Sequence, residues 1–412
     1  MSILAQQFRA QVSKSKDPRM KNETEYDVAY PTGFLSFDYM NGTVIHVKSE
    51  DKNFKYNSIG IVDGSMTTVI GRSGCGKTTW LMQTASELIK PFKTSCIFHD
   101  DIEGGITQSR KEQLLGLHGE ELSERYISRN SGITAENFFE RIKMIHDIKI
   151  KDRATYEYDT GLFSDTGERI YKLEPTVYIL DSLAMLMPEK NTSEDELSGQ
   201  MAATAAAKTN SAIFKRIIPM LKSANIMLFI VNHITQTIDI NMFQKTQAQL
   251  SYLKQGEALG GGRAAVYLAN LLIRFTDHSK LKSTEGYGID GTLVDLSLLK
   301  SRTSNAGNSI TLVFNYACGF DRELSLLHLL KENKKINGAG AYLYIGDRSD
   351  IKFSQKKFKE KLRENEEFRK IFMEACFEVL QTLINDPGEI EEDDGFDITS
   401  IMLNNASIQL AA

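Results

Sequence analysis

The chain has 412 residues, 41% of them hydrophobic and 25% charged, with 49 Lys+Arg against 54 Asp+Glu and a formal net charge of -5. This is the profile of a large globular core with small accessory lobes, and no apolar run approaches the length that spans a bilayer. Four scattered cysteines (Cys75, Cys96, Cys318 and Cys376) form no Cys-x-x-Cys pair, which disfavours a zinc site or a disulfide framework and suits a reducing cytoplasm.

In chain order, residues 1–30 read as an amphipathic helix (Ile3, Leu4, Phe8, Val12) followed by an extended arm, without the apolar stretch of a signal peptide. Alone this segment buries little, so it is expected to dock on the body or on a neighbouring subunit. Residues 31–63 hold a short helix, and residues 43–63 read as a loop-like insert rich in Lys, Asp, Asn and Gly. From Met66 onward, apolar strands alternate with helices. The expected strands are Met66–Ile70, Cys96–His99, Thr176–Leu180, Met227–Val231, Leu271–Phe275, Val294–Leu299 and Thr311–Phe314. The first four are apolar almost throughout, as strands covered on both faces are. Helical segments such as Thr78–Ile89 and Lys208–Ser223 lie between them, so an α/β fold with a mainly parallel sheet is expected. The polar stretch 149–174 reads as an inserted hairpin.

Residues 331–370 contain 12 Lys+Arg and 7 Asp+Glu, which marks a small basic C-terminal lobe. Residues 386–412 contain seven carboxylates and no Lys or Arg; without those seven, 49 basic residues face 47 acidic ones. The acidity therefore belongs to the tail and does not exclude a nucleic-acid partner. The expected division is an N-terminal helix and arm (1–30), a core (31–320), a basic lobe (321–385) and an acidic tail (386–412).

Gly71-Arg72-Ser73-Gly74-Cys75-Gly76-Lys77-Thr78 fits G-x-x-x-x-G-K-[ST] between a strand and a helix. Glycines let such a loop turn its N–H groups onto phosphate oxygens, the Lys77 side chain supplies a point charge, and Thr78 offers a hydroxyl to Mg²⁺. The strand Val177–Leu180 ends in Asp181, where a carboxylate can help to hold that ion. Asp100, Asp101 and Glu103 follow another strand and are candidates to orient an attacking water. In the strand IMLFIVNHITQ the apolar run ends in Asn232 and His233; they read either as backbone-satisfying polar residues or as a γ-phosphate sensor joined to a mobile loop.

Taken together these elements resemble the RecA family of recombinases, including its phage members. The resemblance covers most of the chain: the segment Pro31–Asp38 (T-G-x-L-S-x-D), GRSGCGKTT, VYILDSLAML, FIVNHITQ, Gly260–Ala265, LLKSRT, and a long segment from GAGAYLYIGDRSD to KLRENEEF. It implies a RecA-like P-loop ATPase core that binds ATP and Mg²⁺, with Gly71–Thr79 around the phosphates. Glu103 takes the place of the glutamate that activates water, with Asp101 as a rival because one extra residue precedes Glu103. His233 falls at the phosphate sensor. Lys300 and Arg302 match paired basic residues that reach a neighbouring subunit's ATP, alternatively a pair of solvated charges on one strand face. Arg110 stands where a tyrosine stacks on adenine, and Val266-Tyr267 replace a Lys-aromatic pair.

Two loops would face DNA. The first is 189–201 with Met201, which reads equally as helix core. The second is 234–262 with Met242, Phe243, Lys245, Lys254, Gly261 and Gly262, followed by Arg263. The resemblance implies a DNA-dependent ATPase that forms helical filaments on single-stranded DNA, pairs it with homologous duplex and exchanges strands in the cytoplasm of a bacterial or phage-infected cell. Single-strand-binding and loader proteins are the accessory partners it points to, with no membrane partner. The alternatives are a ring helicase or motor ATPase on the same core, and a DNA-coating protein with weak ATPase activity.

Overall fold

Strands that are apolar at every position need cover on both sides, and the sheet of this protein supplies it. The computed structural model describes residues 27–49, 52–164, 167–189, 200–236, 252–339 and 342–387, together with the helical residues Ile3, Gln7 and Ala10. Ten strands form one sheet: β1 (Met66–Gly71), β2 (Ile97–Asp101), β3 (Tyr126–Arg129), β4 (Thr176–Asp181), β5 (Ile226–Gln236), β6 (Glu257–Leu259), β7 (Leu271–Leu281), β8 (Gly291–Ser301), β9 (Ser309–Asn315) and β10 (Gly319–Phe320). Their order is β10-β9-β8-β7-β1-β5-β4-β2-β3, with β6 paired to the end of β5. The six strands from β7 to β3 are parallel, whereas β8, β9 and β10 run antiparallel. This is the expected α/β sheet of mostly parallel strands.

Alternation along the central strands assigns the two faces. Val177, Ile179, Met227, Phe229 and Val231 pack under helix α1 (Lys77–Ile89), against Trp80, Leu81 and Leu88. Tyr178, Leu180, Leu228 and Ile230 face the other way, toward α2 (Ala135–Lys151) and α3 (Gln200–Ala224), whose Phe138, Ile142, Phe214 and Ile217 fill that layer. Local signals set the helix starts. A reciprocal Thr134–Asn137 capping box opens α2. The Asp321 side chain caps α4 (Arg322–Glu332), and Asn365 caps α5 (Glu366–Leu380). The C-terminal helices and the hairpin Ile336–Ala339/Tyr342–Ile345 surround Phe353, Phe358, Phe368 and Phe372, which share a core with Tyr39, Leu293 and Val313. Among the described residues no helix is long and apolar enough to cross a membrane.

The structure corrects three expectations. The insert at 43–63 is not a loop: Thr43–Ser49 and Lys52–Ser58 form an antiparallel hairpin whose Val44 and Val47 are buried. The β-branched residues Thr43, Val44, Ile45 and Val47 favour a strand there despite the polar composition of the insert. Strand β5 runs beyond the expected Met227–Val231; β6 pairs with Ile234–Gln236 and carries the strand past His233. Strand β3, which closes one edge of the sheet, was not foreseen, because four residues of which only Tyr126 is buried give no period-two signal. The insert at 149–174 contains the expected hairpin, Glu157–Phe163 with Arg169–Leu173. It meets the first hairpin through Phe54 and Phe163 (ring centroids 5.9 Å apart) and through the Tyr56 hydroxyl, which donates to the Phe163 carbonyl (3.1 Å).

Candidate functional site

The loop after β1 is shaped by glycine. Gly74 and Gly76 have φ of 81° and 86°, and a Cβ on Gly76 would lie 2.9 Å from the Phe320 ring. Gly76 is the N-cap of α1, so the first N–H groups of the helix have no intrahelical acceptor and are left at the loop. Lys77 is only 4% exposed. Its Nζ donates to the carbonyls of Gly71 (3.1 Å) and Arg72 (2.7 Å), and burial holds its pKa below the ordinary lysine value. The amine therefore caps its own loop, with Cys75 Sγ 3.8 Å away.

Thr78 and Asp181 come from different elements and meet. Thr78 Oγ1 donates to Asp181 Oδ2 (2.5 Å), while buried Asp181 Oδ1 has no hydrogen-bond partner among the described residues. Burial pushes the Asp181 carboxyl up to about 6, with the Thr78 bond opposing the shift. A hydroxyl and a carboxylate with a spare oxygen, beside a loop rich in free N–H groups, form a donor set that fits a divalent cation on a phosphate chain.

The three acidic residues at the end of β2 have different fates. Asp100 is fully buried and accepts from Arg129 (2.7 and 2.9 Å) and from the Tyr178 hydroxyl (2.6 Å), with Arg141 at 3.2 Å. Its charge is consumed in fastening β3 and α2 to the sheet. Asp101 Oδ1 accepts from the Gly104 N–H (2.9 Å) and braces the turn. Glu103 stands exposed at the tip of that turn, and His233 Nε2 lies 2.7 Å from its Oε1. Lys77 Nζ lies 3.4 Å from the other ring nitrogen, Nδ1. An ammonium donating to Nδ1 places the imidazole proton on Nε2, from which it is donated to Glu103. Lys77, His233 and Glu103 thus form one chain of hydrogen bonds, and ligand atoms of Glu103, Asp181 and His233 lie within 4.8 Å of one another.

Arg110 lies on the helix Gln108–Leu115, where its guanidinium donates to Gln113 Oε1 (2.6 Å) and to the Ala317 carbonyl (2.8 Å). It borders the β9–β10 turn, and Gly319 at the start of β10 packs against Thr79 and Gln83 of α1. Gly261 and Gly262, with φ of 71° and 89°, pack directly on Leu183 and Ala207. Asn232 Nδ2 and Asn210 Nδ2 donate to the carbonyls of Gly260 (2.9 Å) and Gly261 (3.2 Å). The glycine turn is thereby tied to the residue next to His233. Lys254 and Arg263 flank it and are exposed. Met201 falls in the first turn of α3, with its side chain outside the described residues, as are Met242, Phe243 and Lys245.

Lys300 and Arg302 are not part of this constellation. Because β8 runs antiparallel, Ser301 pairs with Leu271, which in turn pairs with Thr67. Both basic residues therefore lie toward the end of the sheet away from the loop after β1, Lys300 roughly 10 Å and Arg302 roughly 17 Å along the strand direction. Lys300 Nζ donates to the Tyr267 carbonyl (2.6 Å), and burial together with Arg302 lowers its pKa.

Sequence reading missed the link between His233 and Glu103, which no spacing encodes, and the pairing of Asp100 with Arg129 and Arg141. It also gave no reason for Asp38, which closes the segment Pro31–Asp38. Asp38 is fully buried, and its Oδ1 accepts from the backbone N–H (2.8 Å) and hydroxyl (2.6 Å) of Thr32.

No protein-family model matches the sequence. A stretch of 166 residues is 26% identical to a protein of Enterobacteria phage T4 described as a recombination and repair protein. The similarity covers 40% of this chain and 38% of that protein, so the chain spans about two fifths of the length of the relative it matches.

Proposed function

We propose that this protein is an ATP-dependent recombination and repair protein with a RecA-like core, which polymerises on single-stranded DNA and exchanges strands with homologous duplex. One observation carries the reading: the sheet brings Lys77, His233 and Glu103, joined in one chain of hydrogen bonds, and the bonded pair Thr78 and Asp181 to one edge, with ligand atoms of Glu103, Asp181 and His233 within 4.8 Å of one another. The similarity to the phage T4 protein supports the recombination and repair role.

In this reading the loop Gly71–Thr78 and the start of α1 bind the phosphates of ATP, and Thr78 and Asp181 hold Mg²⁺, which supplies charge neutralisation at the phosphates when bound. Lys77 leaves its own carbonyls for the phosphate chain. Glu103 orients and deprotonates the attacking water. His233 holds Glu103 until nucleotide arrives, and strand β5 and Asn232 join it to the glycine turn that ends the second DNA loop. Lys300 and Arg302, remote from their own loop, serve the site of a neighbouring subunit, so hydrolysis depends on assembly.

Lys77→Ala is expected to abolish ATP-dependent filaments seen by electron microscopy. The double variant Lys300→Ala/Arg302→Ala is expected to bind nucleotide but lose DNA-stimulated phosphate release; normal stimulated turnover would remove the trans-acting role. Closed hexamers with an ATP analogue and DNA would replace the recombinase by a ring motor. Coating without exchange, in an assay with homologous and heterologous duplexes, would leave a DNA-coating ATPase.

A further inference from the structure

The turn that carries Arg302 is fastened to a residue with no assigned role. Asn41, 4% exposed, follows the helix Leu35–Met40 and precedes the hairpin at 43–58. Its Nδ2 donates to the Gly60 carbonyl (2.7 Å), which fixes which end of the amide is the oxygen. That oxygen faces the turn after β8. It accepts from the hydroxyls of Ser301 (3.0 Å) and Ser304 (3.3 Å), with the Thr303 hydroxyl at 3.5 Å. Ser301 Oγ accepts in turn from the N–H groups of Thr303 (3.2 Å) and Ser304 (3.0 Å). The residues on both sides of Arg302 therefore converge on one buried amide oxygen. A second tie holds the same turn: Asn305 Nδ2 donates to Asn385 Oδ1 (3.0 Å), and the Asn385 backbone bonds to Gly42 and Val44 at the root of the hairpin.

Local charge leaves the guanidinium available. Asn41, Thr303, Asp27, Asp63, Lys222 and Arg302 line one cavity of about 260 Å³. Asp63 is taken by Lys172 (2.8 Å) and Lys222 (3.3 Å), and Lys222 also pairs with Asp27. A guanidinium beside two carboxylates would ordinarily bind one of them. Here lysines occupy both, and Arg302 makes no ion pair among the described residues.

We infer that Asn41 is a positioning residue for Arg302: its amide oxygen clamps the Ser301–Ser304 turn so that the guanidinium is presented to a nucleotide held by the next copy of this chain. The inference rests on the reading that Arg302 acts on a neighbouring subunit, and its test separates the two. Asn41→Ala should lower the kcat of single-strand-stimulated ATP hydrolysis about tenfold to a hundredfold, up to the scale of a transition-state group misplaced by about 1 Å, with KM for ATP unchanged. Ser301→Ala, which leaves the bond from Asn41 to Gly60 in place, should lower it in the same direction. Mixing Asn41→Ala chains with excess Glu103→Gln chains, which supply a properly held Arg302 to their neighbours, should restore hydrolysis at the intact sites of the Asn41→Ala chains. An Arg302→Ala chain in the same mixture is the reference. Wild-type hydrolysis by Asn41→Ala overturns the inference. So does an Asn41→Ala defect that mixing leaves in place while Arg302→Ala is rescued, because Asn41 would then act on the fold of its own chain. If Arg302→Ala hydrolyses normally or is not rescued, the trans-acting reading falls, and the inference with it.

Discussion

Two carboxylates only two residues apart, Asp101 and Glu103, have different tasks because one is consumed by the backbone and the other is not. Asp101 accepts from Gly104, whereas Glu103 reaches, among the described residues, only a side chain from another strand. Glu103→Gln is therefore expected to reduce stimulated hydrolysis by about 10²–10⁴, the usual range for a general base. Asp101→Asn should cost less than about tenfold and act mainly on stability. Parallel phosphate-release assays decide between them, and the reverse ranking would make Asp101 the base. At Asp38, burial pushes the carboxyl up to about 7, against the opposing Thr32 hydrogen bonds. The folded chain thus holds a proton that the unfolded chain releases near its ordinary value of 3.8. For such a group the contribution to stability is largest below the unfolded pKa and is lost as pH rises through the folded one. The protein should lose on the order of 3 kcal/mol from this residue between about pH 4 and pH 7. Asp38→Asn should flatten that dependence in thermal melts followed by the fluorescence of Trp80, the single tryptophan, which is fully buried. An unchanged pH slope would place the proton elsewhere.

Among the elements, the edge strand β3 shows how a short strand is held without a long apolar pattern. It pairs in parallel with β2, and Arg129 lies opposite Asp100, whose charge it neutralises. Breaking a buried ion pair from one side strands the other charge. Arg141 still approaches Asp100 in that case, so Arg129→Met should cost about 2–3 kcal/mol in urea melts rather than the full penalty. No loss would mean that Arg141 alone suffices. The periodic strands and helices were legible because burial on one or two faces writes itself into the residue order. The hairpin at 43–58 was not, since its polar exposed face dominates the composition. The extension of β5 past His233 was also hidden, because the pairing partner β6 lies more than twenty residues away.

For the whole molecule, the net charge of -5 is an average over unlike parts. In the C-terminal part many basic side chains are already paired, among them Lys335 with Glu378, Lys359 with Asp321, and Arg348 with Asp350 and Glu367. Residues 388–412 lie outside the described structure, and their carboxylates carry much of the excess acidity. Truncation after Pro387, which keeps the Asp386 contacts with His46 and Lys55, should raise duplex affinity at low salt, with the difference vanishing as salt increases. Equal binding across the salt series would leave the tail a solubilising role. Sequence by itself determined the α/β class, the Gly71–Thr78 loop and the strand-end carboxylate Asp181, because each is written in contiguous residues whose spacing is its own physical cause. Only the tertiary structure decided which carboxylate stands free, that His233 bridges Lys77 and Glu103, and that Lys300 and Arg302 sit toward the far end of the sheet. Those facts depend on strand order and direction, which hydrogen bonds between distant segments fix and no local pattern records.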